Sequence, residues 1–234
     1  MDSNGRGEFN LIFDADDTLW DSNIHFRDAE REFAEALCDN GAAVDAPAVR
    51  ATVQRFELEI IGIHGYGRRP YVLALHRALT FLAPAASVEK LGLIVAEIGE
   101  RFAARNCDLL PGVRDTLEVL AARHKLLLFT KGQPEEQLLK LERSGLGAFF
   151  WRVEVPAEKD AAAYSRLIAS ATLAPEITYM IGNSPRSDIN PALRAGLGAV
   201  FIPHPHTWER EHEEIQIRER LIELENFSQL KEVF

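Results

Sequence analysis

The sequence is poor in cysteine and contains no long apolar run. Cys38 and Cys107 are the two cysteines among 234 residues, which excludes a disulfide framework and favours a reducing, cytoplasmic location. No apolar run reaches the roughly 18 residues that a membrane-spanning helix needs. The first nine residues contain no apolar segment of the kind that marks a secretory signal. We therefore expect no association with a membrane.

Positive charge is also scarce. The chain carries 26 lysines and arginines against 36 aspartates and glutamates, a formal net charge of −10. A surface of this sign disfavours nucleic acid and anionic membranes as partners. It does not disfavour a small phosphorylated substrate, because a few local cations are enough to bind one. The length and the 47% hydrophobic content suit either one domain or a domain with an insertion, whereas the oligomeric state is left open.

Short apolar runs typical of buried strands recur along the chain, and from the second onward helix-length gaps separate them. They cover residues 9–14, 125–130, 151–155, 178–182 and 198–202. This alternation predicts an α/β fold with a doubly wound parallel sheet. Residues 20–106 carry helix-period patterns without a convincing strand, which predicts an all-helical insertion between core segments 1–19 and 107–234.

Two features near the C-terminus extend this prediction. The pair Asn190-Pro191 is typical of an N-cap followed by the first turn of a short helix. The tail 207–234 is rich in acidic residues and is predicted to add a helix, a short strand near 221–224 and a last helical turn, and we interpret its charge run as a solvated face.

Asp14 and Asp16 follow the first apolar run, at the edge of the predicted sheet where open α/β folds bind ligands. Residues two apart on an extended backbone point to the same side, so both carboxylates can converge on one small site. Such carboxylates repel each other unless a cation intervenes or one holds a proton. The pair could bind a metal, or one carboxyl could act as an acid while the other attacks. An acidic turn that caps the next helix explains this segment alone equally well.

Polar residues also follow the next three strands. Thr130 and Lys131 follow the second run, where a hydroxyl and backbone N–H groups beside a helix start can bind an anion. Lys159 follows the third run, and Asn183 and Asp188 follow the fourth. Each residue alone is more typical of an ordinary turn. Together they predict a cation site beside a phosphate site, as phosphoryl transfer requires.

These segments resemble, in order, the four motifs of the haloacid dehalogenase superfamily: FDADDTLWDSN, LLLFTKG, the lysine of EKDAAAYSRLI, and IGNSPRSDINPALRAG. The resemblance covers nearly the whole chain. It implies a Rossmann-like core with a helical cap insertion, similar to the phosphoglycolate-phosphatase-like branch. The activity implied is that of a Mg²⁺-dependent phosphomonoester hydrolase, a phosphatase that acts on a small phosphorylated metabolite through an aspartyl-phosphate.

The same resemblance implies roles for individual residues. Asp14 is the expected nucleophile, and Asp16 is expected to protonate the leaving oxygen and then activate water. Thr130 and Lys159 are expected to hold the transferring phosphoryl group, with Lys131 beside them in the predicted phosphate site.

The expected Mg²⁺ ligands are Asp14, the backbone carbonyl of Asp16, and the fourth motif. Many relatives carry aspartate where this chain has Asn183, so whether Asn183 or Asp188 contacts the metal directly is left open. His204 has no evident third metal ligand near it in the sequence, and we assign it to a structural loop.

Residues 62–71 interrupt the helical insertion with three glycines. This segment contains Tyr66, Arg68 and Arg69, and we interpret it as a loop of the cap that reads the leaving group of the substrate. An ordinary helix–helix connection whose basic residues face solvent is the alternative.

Other functions compete with hydrolysis of a phosphate ester. A phosphomutase or phosphotransferase of the same superfamily keeps all four motifs, and a non-catalytic ligand-binding module could retain the fold. A haloacid dehalogenase is disfavoured because that branch does not use an acid at the position of Asp16. Sugar phosphates, nucleoside monophosphates, flavin mononucleotide and phosphoglycolate all fit such a site, so the sequence does not identify the substrate.

Overall fold

A computed structural model describes residues 8–105 and 107–234. The first seven residues, in which no signal sequence is expected, lie outside the described residues. The described chain divides into two compact units, one made of residues 8–23 and 107–234 and the other of residues 24–105. The first boundary lies four residues later than predicted, because Trp20 is fully buried in the apolar core of the first unit.

The first unit contains a six-stranded parallel sheet with the strand order β3-β2-β1-β4-β5-β6. The strands are β1 (Asn10–Phe13), β2 (Lys125–Phe129), β3 (Arg152–Glu154), β4 (Thr178–Gly182), β5 (Gly198–Phe201) and β6 (Leu221–Glu223). In the central strand β1, Leu11 and Phe13 pack into one apolar cluster and Ile12 into another. Both faces of the sheet are therefore covered, which confirms the predicted α/β fold.

The helices alternate with these strands after the insertion. They are α1 (Asn23–Asp39), α2 (Ala46–His64), α3 (Arg68–Leu82), α4 (Val88–Ala104), α5 (Val113–Ala121), α6 (Pro134–Ser144), α7 (Ala161–Ala171), α8 (Asn190–Arg194) and α9 (Leu230–Val233). Helices α1 to α4 form the second unit, apart from Asn23, and the others belong to the first. No helix among the described residues combines the length and apolarity that a membrane crossing requires.

The segment between β4 and α8 differs from the prediction. A π-helical stretch, Pro185–Ile189, precedes α8, so Asn190 is the first residue of that helix and not its N-cap. Ser184 caps the stretch instead, because its hydroxyl oxygen accepts a hydrogen bond from the Ser187 backbone N–H at 2.8 Å. Asp188 belongs to this stretch and therefore lies just beyond the carboxyl end of β4.

The second unit has its own apolar core, which includes Phe33, Leu75 and Phe102. Its α2–α3 connection is only three residues long, shorter than the predicted 62–71. Helix α2 continues through His64, and the Gly65 N–H donates to the Ile61 carbonyl at 2.9 Å. Arg68 and Arg69 therefore lie in the first turn of α3 and not in a loop.

Candidate active site

Lys159 joins two carboxylates that come from different strands. Its Nζ lies 2.5 Å from Asp14 Oδ1 and 2.5 Å from Asp188 Oδ1, and it donates to the Phe129 carbonyl at 3.0 Å. All three charged side chains are buried. Asp14 directly follows β1, whereas Asp188 follows β4. The parallel sheet thus brings three of the predicted site residues together at the carboxyl ends of its strands.

Burial dominates the electrostatics of this cluster. It raises the pKa of Asp188 to about 7 and also raises the pKa of Asp14, with Lys159 opposing both shifts. Burial alone would lower the pKa of Lys159, but the two carboxylates outweigh it and raise that pKa above its usual value. One ammonium therefore serves two carboxylates, and the cluster is net negative when both are ionised.

Acceptor oxygens outnumber the donors around this cluster. Thr18 Oγ1 lies 3.2 Å from Asp14 Oδ2 and 3.2 Å from Asn183 Oδ1, yet a hydroxyl has one proton to donate. Among the described residues, Asp188 Oδ1 has one partner, Lys159 Nζ at 2.5 Å, and this ammonium also serves Asp14 Oδ1 and the Phe129 carbonyl. A hard cation satisfies such a set of carboxylate and amide oxygens, so these residues fit Mg²⁺.

Gly182, the last residue of β4, makes room for the Asp188 carboxylate. A Cβ atom at this position would lie 2.2 Å from Asp188 Oδ2. The same oxygen accepts a hydrogen bond from the Ser184 N–H at 3.0 Å. A larger residue than glycine would therefore displace the carboxylate from the cluster.

Different donors hold the Asp16 carboxylate. Trp20 Nε1 donates to Oδ1 at 2.7 Å, Gln137 Nε2 donates to Oδ2 at 2.9 Å, and Lys140 Nζ lies 2.9 Å from both oxygens. Burial would raise the pKa of Asp16, but Lys140 and the hydrogen bonds outweigh it and hold that pKa below its usual value. Because a carboxylate has about four lone-pair positions, these contacts leave no room for a proton.

The sequence analysis missed Trp20, Gln137 and Lys140 as site residues. Gln137 and Lys140 lie three residues apart on α6 and are both buried. Gly132 leaves space for this arrangement, because a Cβ there would come within 2.9 Å of Gln137 Nε2. The sequence feature that could have indicated Gln137 and Lys140 is their spacing of three residues on the short helix that follows the second motif.

Thr130 and Lys131 directly follow β2. Thr130 is buried beside Phe129, whose carbonyl accepts from Lys159. Lys131 Nζ lies 2.5 Å from Glu211 Oε1 and donates to Ser187 Oγ at 3.0 Å. The interpretation of the acidic tail as a solvated face is wrong for Glu211, which is buried because Lys131 and serine hydroxyls compensate its charge.

The predicted substrate-reading residues Tyr66, Arg68 and Arg69 belong to the second unit. Arg68 donates to the Ala103 carbonyl at 3.1 Å, and its guanidinium lies 5.3 Å from the centre of the Phe102 ring. Tyr66 is half-buried and Arg69 is exposed. Arg68 thus contributes to packing within the helical unit, and a role of these residues in binding substrate stays a prediction.

Folding also brings two carboxylates to His204, for which the sequence offered no third ligand. Asp17, Asp21 and His204 have potential metal-ligating atoms within 4.8 Å of one another. His204 Nε2 lies 3.3 Å from Asp21 Oδ1, whereas Nδ1 lies 3.7 Å from Asp17 Oδ1. Burial raises the pKa of Asp17 to about 7, and backbone N–H groups of Asn23 and Ser22 oppose the shift. The two carboxylates face different ring nitrogens, and the group differs from the predicted Mg²⁺ ligands.

Several solved structures are similar to this chain over nearly its whole length. A haloacid dehalogenase-like family hydrolase from Xanthomonas campestris is 30% identical, with a TM-score of 0.80 over 98% of this chain and 95% of that chain. The HAD-hydrolase YfnB from Bacillus subtilis, bound to magnesium, is 19% identical, with a TM-score of 0.64 over 97% and 99%. A 2-haloacid dehalogenase from Pseudomonas syringae is 22% identical, with a TM-score of 0.60 over 97% of both chains.

The last two similarities show the fold alone. A search of curated proteins found no match. The family model for haloacid dehalogenase-like hydrolases matches residues 10–196, which include every strand that contributes to the Asp14 cluster. The resemblance inferred from the four motifs is confirmed: the chain belongs to the haloacid dehalogenase-like hydrolases.

Proposed function

We propose that this hydrolase is a Mg²⁺-dependent phosphatase that cleaves a small phosphomonoester through an aspartyl-phosphate on Asp14. The observation that carries the proposal is the buried group of Asp14, Lys159 and Asp188 at the carboxyl ends of the strands. A carboxylate needs nearby positive charge before it can approach a phosphate dianion. Lys159 supplies one such charge, and the surplus of acceptor oxygens suits a second.

In the first step, a carboxylate oxygen of Asp14 attacks phosphorus. The new P–O bond forms as the ester P–O bond breaks, and the electron pair of that bond goes to the leaving oxygen. Lys159 offsets negative charge on the equatorial oxygens, and the buried Thr130 hydroxyl assists it. A proton from Asp16 or from water completes the departing alcohol.

In the second step, water attacks the phosphorus of the aspartyl-phosphate and Asp16 takes its proton. The Asp14–phosphorus bond breaks, which regenerates the carboxylate and releases inorganic phosphate. The lowered pKa of Asp16 keeps the carboxylate ionised, which is the state that a base requires, but Asp16 must also give up one of its present contacts before it can take the proton. To act as an acid in the first step, Asp16 must accept a proton and give up a contact with Trp20, Gln137 or Lys140.

Asp14, the Asp16 carbonyl, Asn183 and Asp188 would hold the Mg²⁺ ion. When bound, Mg²⁺ supplies charge that offsets repulsion between the attacking carboxylate and the phosphate. Asn183 provides a neutral amide oxygen, so the carboxylates of Asp14 and Asp188 would supply the negative charge around the metal. A reducing, cytoplasmic location belongs to the same proposal and rests on two cysteines that form no disulfide.

Phosphate release from a panel of small phosphate esters tests this proposal, with Mg²⁺ and with EDTA. The wild-type protein should release phosphate with Mg²⁺, and Asp14→Asn should release none while it keeps the wild-type circular dichroism spectrum. Asp115→Asn, which changes an exposed aspartate on α5, is the matched control and should remain active. Activity near wild type in Asp14→Asn would contradict the mechanism.

The same panel separates the competing functions. A phosphomutase would convert one sugar phosphate into an isomer with little free phosphate. A ligand-binding module would bind an ester without cleaving it. A dehalogenase would release halide from a 2-haloacid and would leave all phosphate esters intact.

A further inference from the structure

Glu211 is a buried carboxylate that lies outside the residues matched by the family model. Its Oε1 lies 2.5 Å from Lys131 Nζ. Its Oε2 accepts hydrogen bonds from Ser184 Oγ at 2.5 Å and from Ser187 Oγ at 2.6 Å. Three donors from two different loops thus converge on one side chain of the segment that follows β5.

Both loops carry residues of the proposed active site. Lys131 follows Thr130 at the end of β2, while Ser184 and Ser187 belong to the segment that presents Asp188. The Ser184 N–H donates to Asp188 Oδ2 at 3.0 Å, and its hydroxyl accepts from the Ser187 N–H at 2.8 Å. Glu211 therefore holds the serine whose backbone fixes the Asp188 carboxylate.

Thr207, in the same segment, contacts the other residue of the fourth motif. Asn183 Nδ2 donates to Thr207 Oγ1 at 2.8 Å, which leaves Asn183 Oδ1 facing Thr18. The orientation of an amide side chain follows from its hydrogen bonds. Thr207 thus orients the amide oxygen of Asn183 toward Thr18 Oγ1, which also lies 3.2 Å from Asp14 Oδ2.

We propose that Glu211, assisted by Thr207, is a positioning residue for Mg²⁺: it holds Asp188 and Asn183 in their ligating orientation. This inference rests on the metal ligands of the proposed function. It assigns Lys131 a different part from the phosphate contact predicted from the sequence. Lys131 neutralises Glu211, so that the buried carboxylate adds no net charge to the metal site.

Stability alone explains this network poorly. A buried ion pair contributes little net stability compared with well-packed apolar residues, because both charges lose their hydration. Groups that orient metal ligands, in contrast, typically change metal affinity ten- to a hundred-fold when they are removed. We therefore expect removal of Glu211 to weaken Mg²⁺ binding in a protein that remains folded.

Isothermal titration of metal-free protein with Mg²⁺ tests the inference without any substrate. Glu211→Gln should raise the Mg²⁺ dissociation constant roughly ten- to a hundred-fold. Glu213→Gln is the matched control: Glu213 lies two residues away, is exposed and pairs with Arg194 at 3.2 Å. It should bind Mg²⁺ as the wild type does. A wild-type dissociation constant in Glu211→Gln would overturn the inference.

A double variant covers the case in which Glu211→Gln fails to fold. Lys131→Met/Glu211→Met removes both charges together and leaves neither buried without its partner, and it should also bind Mg²⁺ weakly. Thr207→Val should weaken binding to a smaller extent. Wild-type affinity in the double variant would overturn the proposal.

Lys131→Met distinguishes the two roles of that lysine. A weaker affinity for Mg²⁺ with unchanged affinity for inorganic phosphate supports the inference. Weaker phosphate binding with unchanged Mg²⁺ affinity would overturn it in favour of a phosphate contact.

The outcome is separable from that of the proposed function. A wild-type protein that binds Mg²⁺, and loses affinity in Glu211→Gln, supports the inference even if it cleaves no phosphate ester. A wild-type protein that binds no Mg²⁺ at millimolar concentration would overturn the inference, whether or not it releases phosphate.

Discussion

Lys140 Nζ lies 2.9 Å from both carboxylate oxygens of Asp16, and it reaches them from a buried position on α6. Removal of one partner from such a pair leaves the other charge without compensation. We expect Lys140→Met to lower the free energy of unfolding by roughly 1–3 kcal/mol, measured by urea denaturation. Lys125→Met is the control, because it removes an exposed lysine 3.8 Å from Glu8 and should change stability little. Equal stability of the Lys140→Met and wild-type proteins would show that the pair has no net effect.

The role proposed for Asp16 predicts a dependence on the leaving group. A p-nitrophenolate departs with little protonation, whereas an alkoxide needs a proton. Asp16→Asn should therefore slow phosphorylation of the enzyme less with p-nitrophenyl phosphate than with an alkyl phosphate. Hydrolysis of the aspartyl-phosphate should slow by the same factor for both esters, since both form the same intermediate.

Rapid-quench measurement of the phosphoenzyme separates these two steps. Asp115→Asn, on the exposed face of α5, should leave both steps unchanged. Equal losses of the phosphorylation rate with the two esters would point to a structural role for Asp16 and not to proton transfer.

The sheet could be predicted from the sequence because the apolar segments that indicate its strands are also the segments that the fold buries. Strands β1 to β5 each lie within one of the five predicted runs, and β6 lies within the short strand predicted near 221–224. The apolar residues of β1 are buried on both faces, as a continuous run implies. The strand-end residues Asp14, Lys159 and Asp188 could be placed together for the same reason. Once strand order puts β1 and β4 side by side, the carboxyl ends of these strands meet.

Helix α6 shows where pattern and environment disagree. Two of its three leucines, Leu138 and Leu139, are about half exposed, at 50% and 44%, whereas the polar Gln137 and Lys140 are buried with Leu141. Hydrophobicity alone would place Leu138 and Leu139 in the core and Gln137 and Lys140 in solvent, because it takes no account of a carboxylate elsewhere in the chain. Asp16 makes burial of these polar groups favourable, and this partner is visible only in the folded structure.

Glu211 escaped prediction for a related reason. It lies in a run of charged residues, and such runs are usually solvated. What distinguishes it from the exposed Glu213 is the convergence of donors from two distant loops. The sequence contains no local signal of that convergence.

The structure distinguishes the two arginines at the start of α3. Arg68→Ala should lower the free energy of unfolding by about 1 kcal/mol, because it removes the hydrogen bond to Ala103 and the stacking on Phe102. Arg69→Ala should leave stability unchanged, since the side chain is exposed. If the helical unit reads the leaving group, Arg69→Ala should reduce kcat/KM for the preferred ester roughly ten- to a hundred-fold. Unchanged kcat/KM across the ester panel would assign specificity elsewhere.

The raised pKa values of Asp17 and Asp188 predict how stability without metal depends on pH. Both are about 7 in the folded protein, against 3.8 for the ordinary side chain. Between those values the folded state keeps protons that the unfolded state has released, so the stability that these groups contribute is present at low pH and is lost as pH rises through 7. In EDTA, each should contribute on the order of 1–2 kcal/mol more at about pH 5.5 than at about pH 7.5.

A comparison of Asp188→Asn with the wild type measures the part of this effect that depends on Asp188, including its influence on Asp14, which shares Lys159 with it and also has a raised pKa. His204 acts in the opposite direction below its ordinary pKa of 6.5, because burial lowers its pKa in the folded protein. The lowered pKa values of Asp16 and Glu211 act only at more acidic pH. These contributions are common to both proteins and cancel in the difference between their unfolding free energies, measured by urea denaturation. That difference should fall as pH rises from about 5.5 to about 7.5, because asparagine does not titrate. A difference that is constant across this range would show that Asp188 is already ionised at the lower pH, with Lys159 as a sufficient partner.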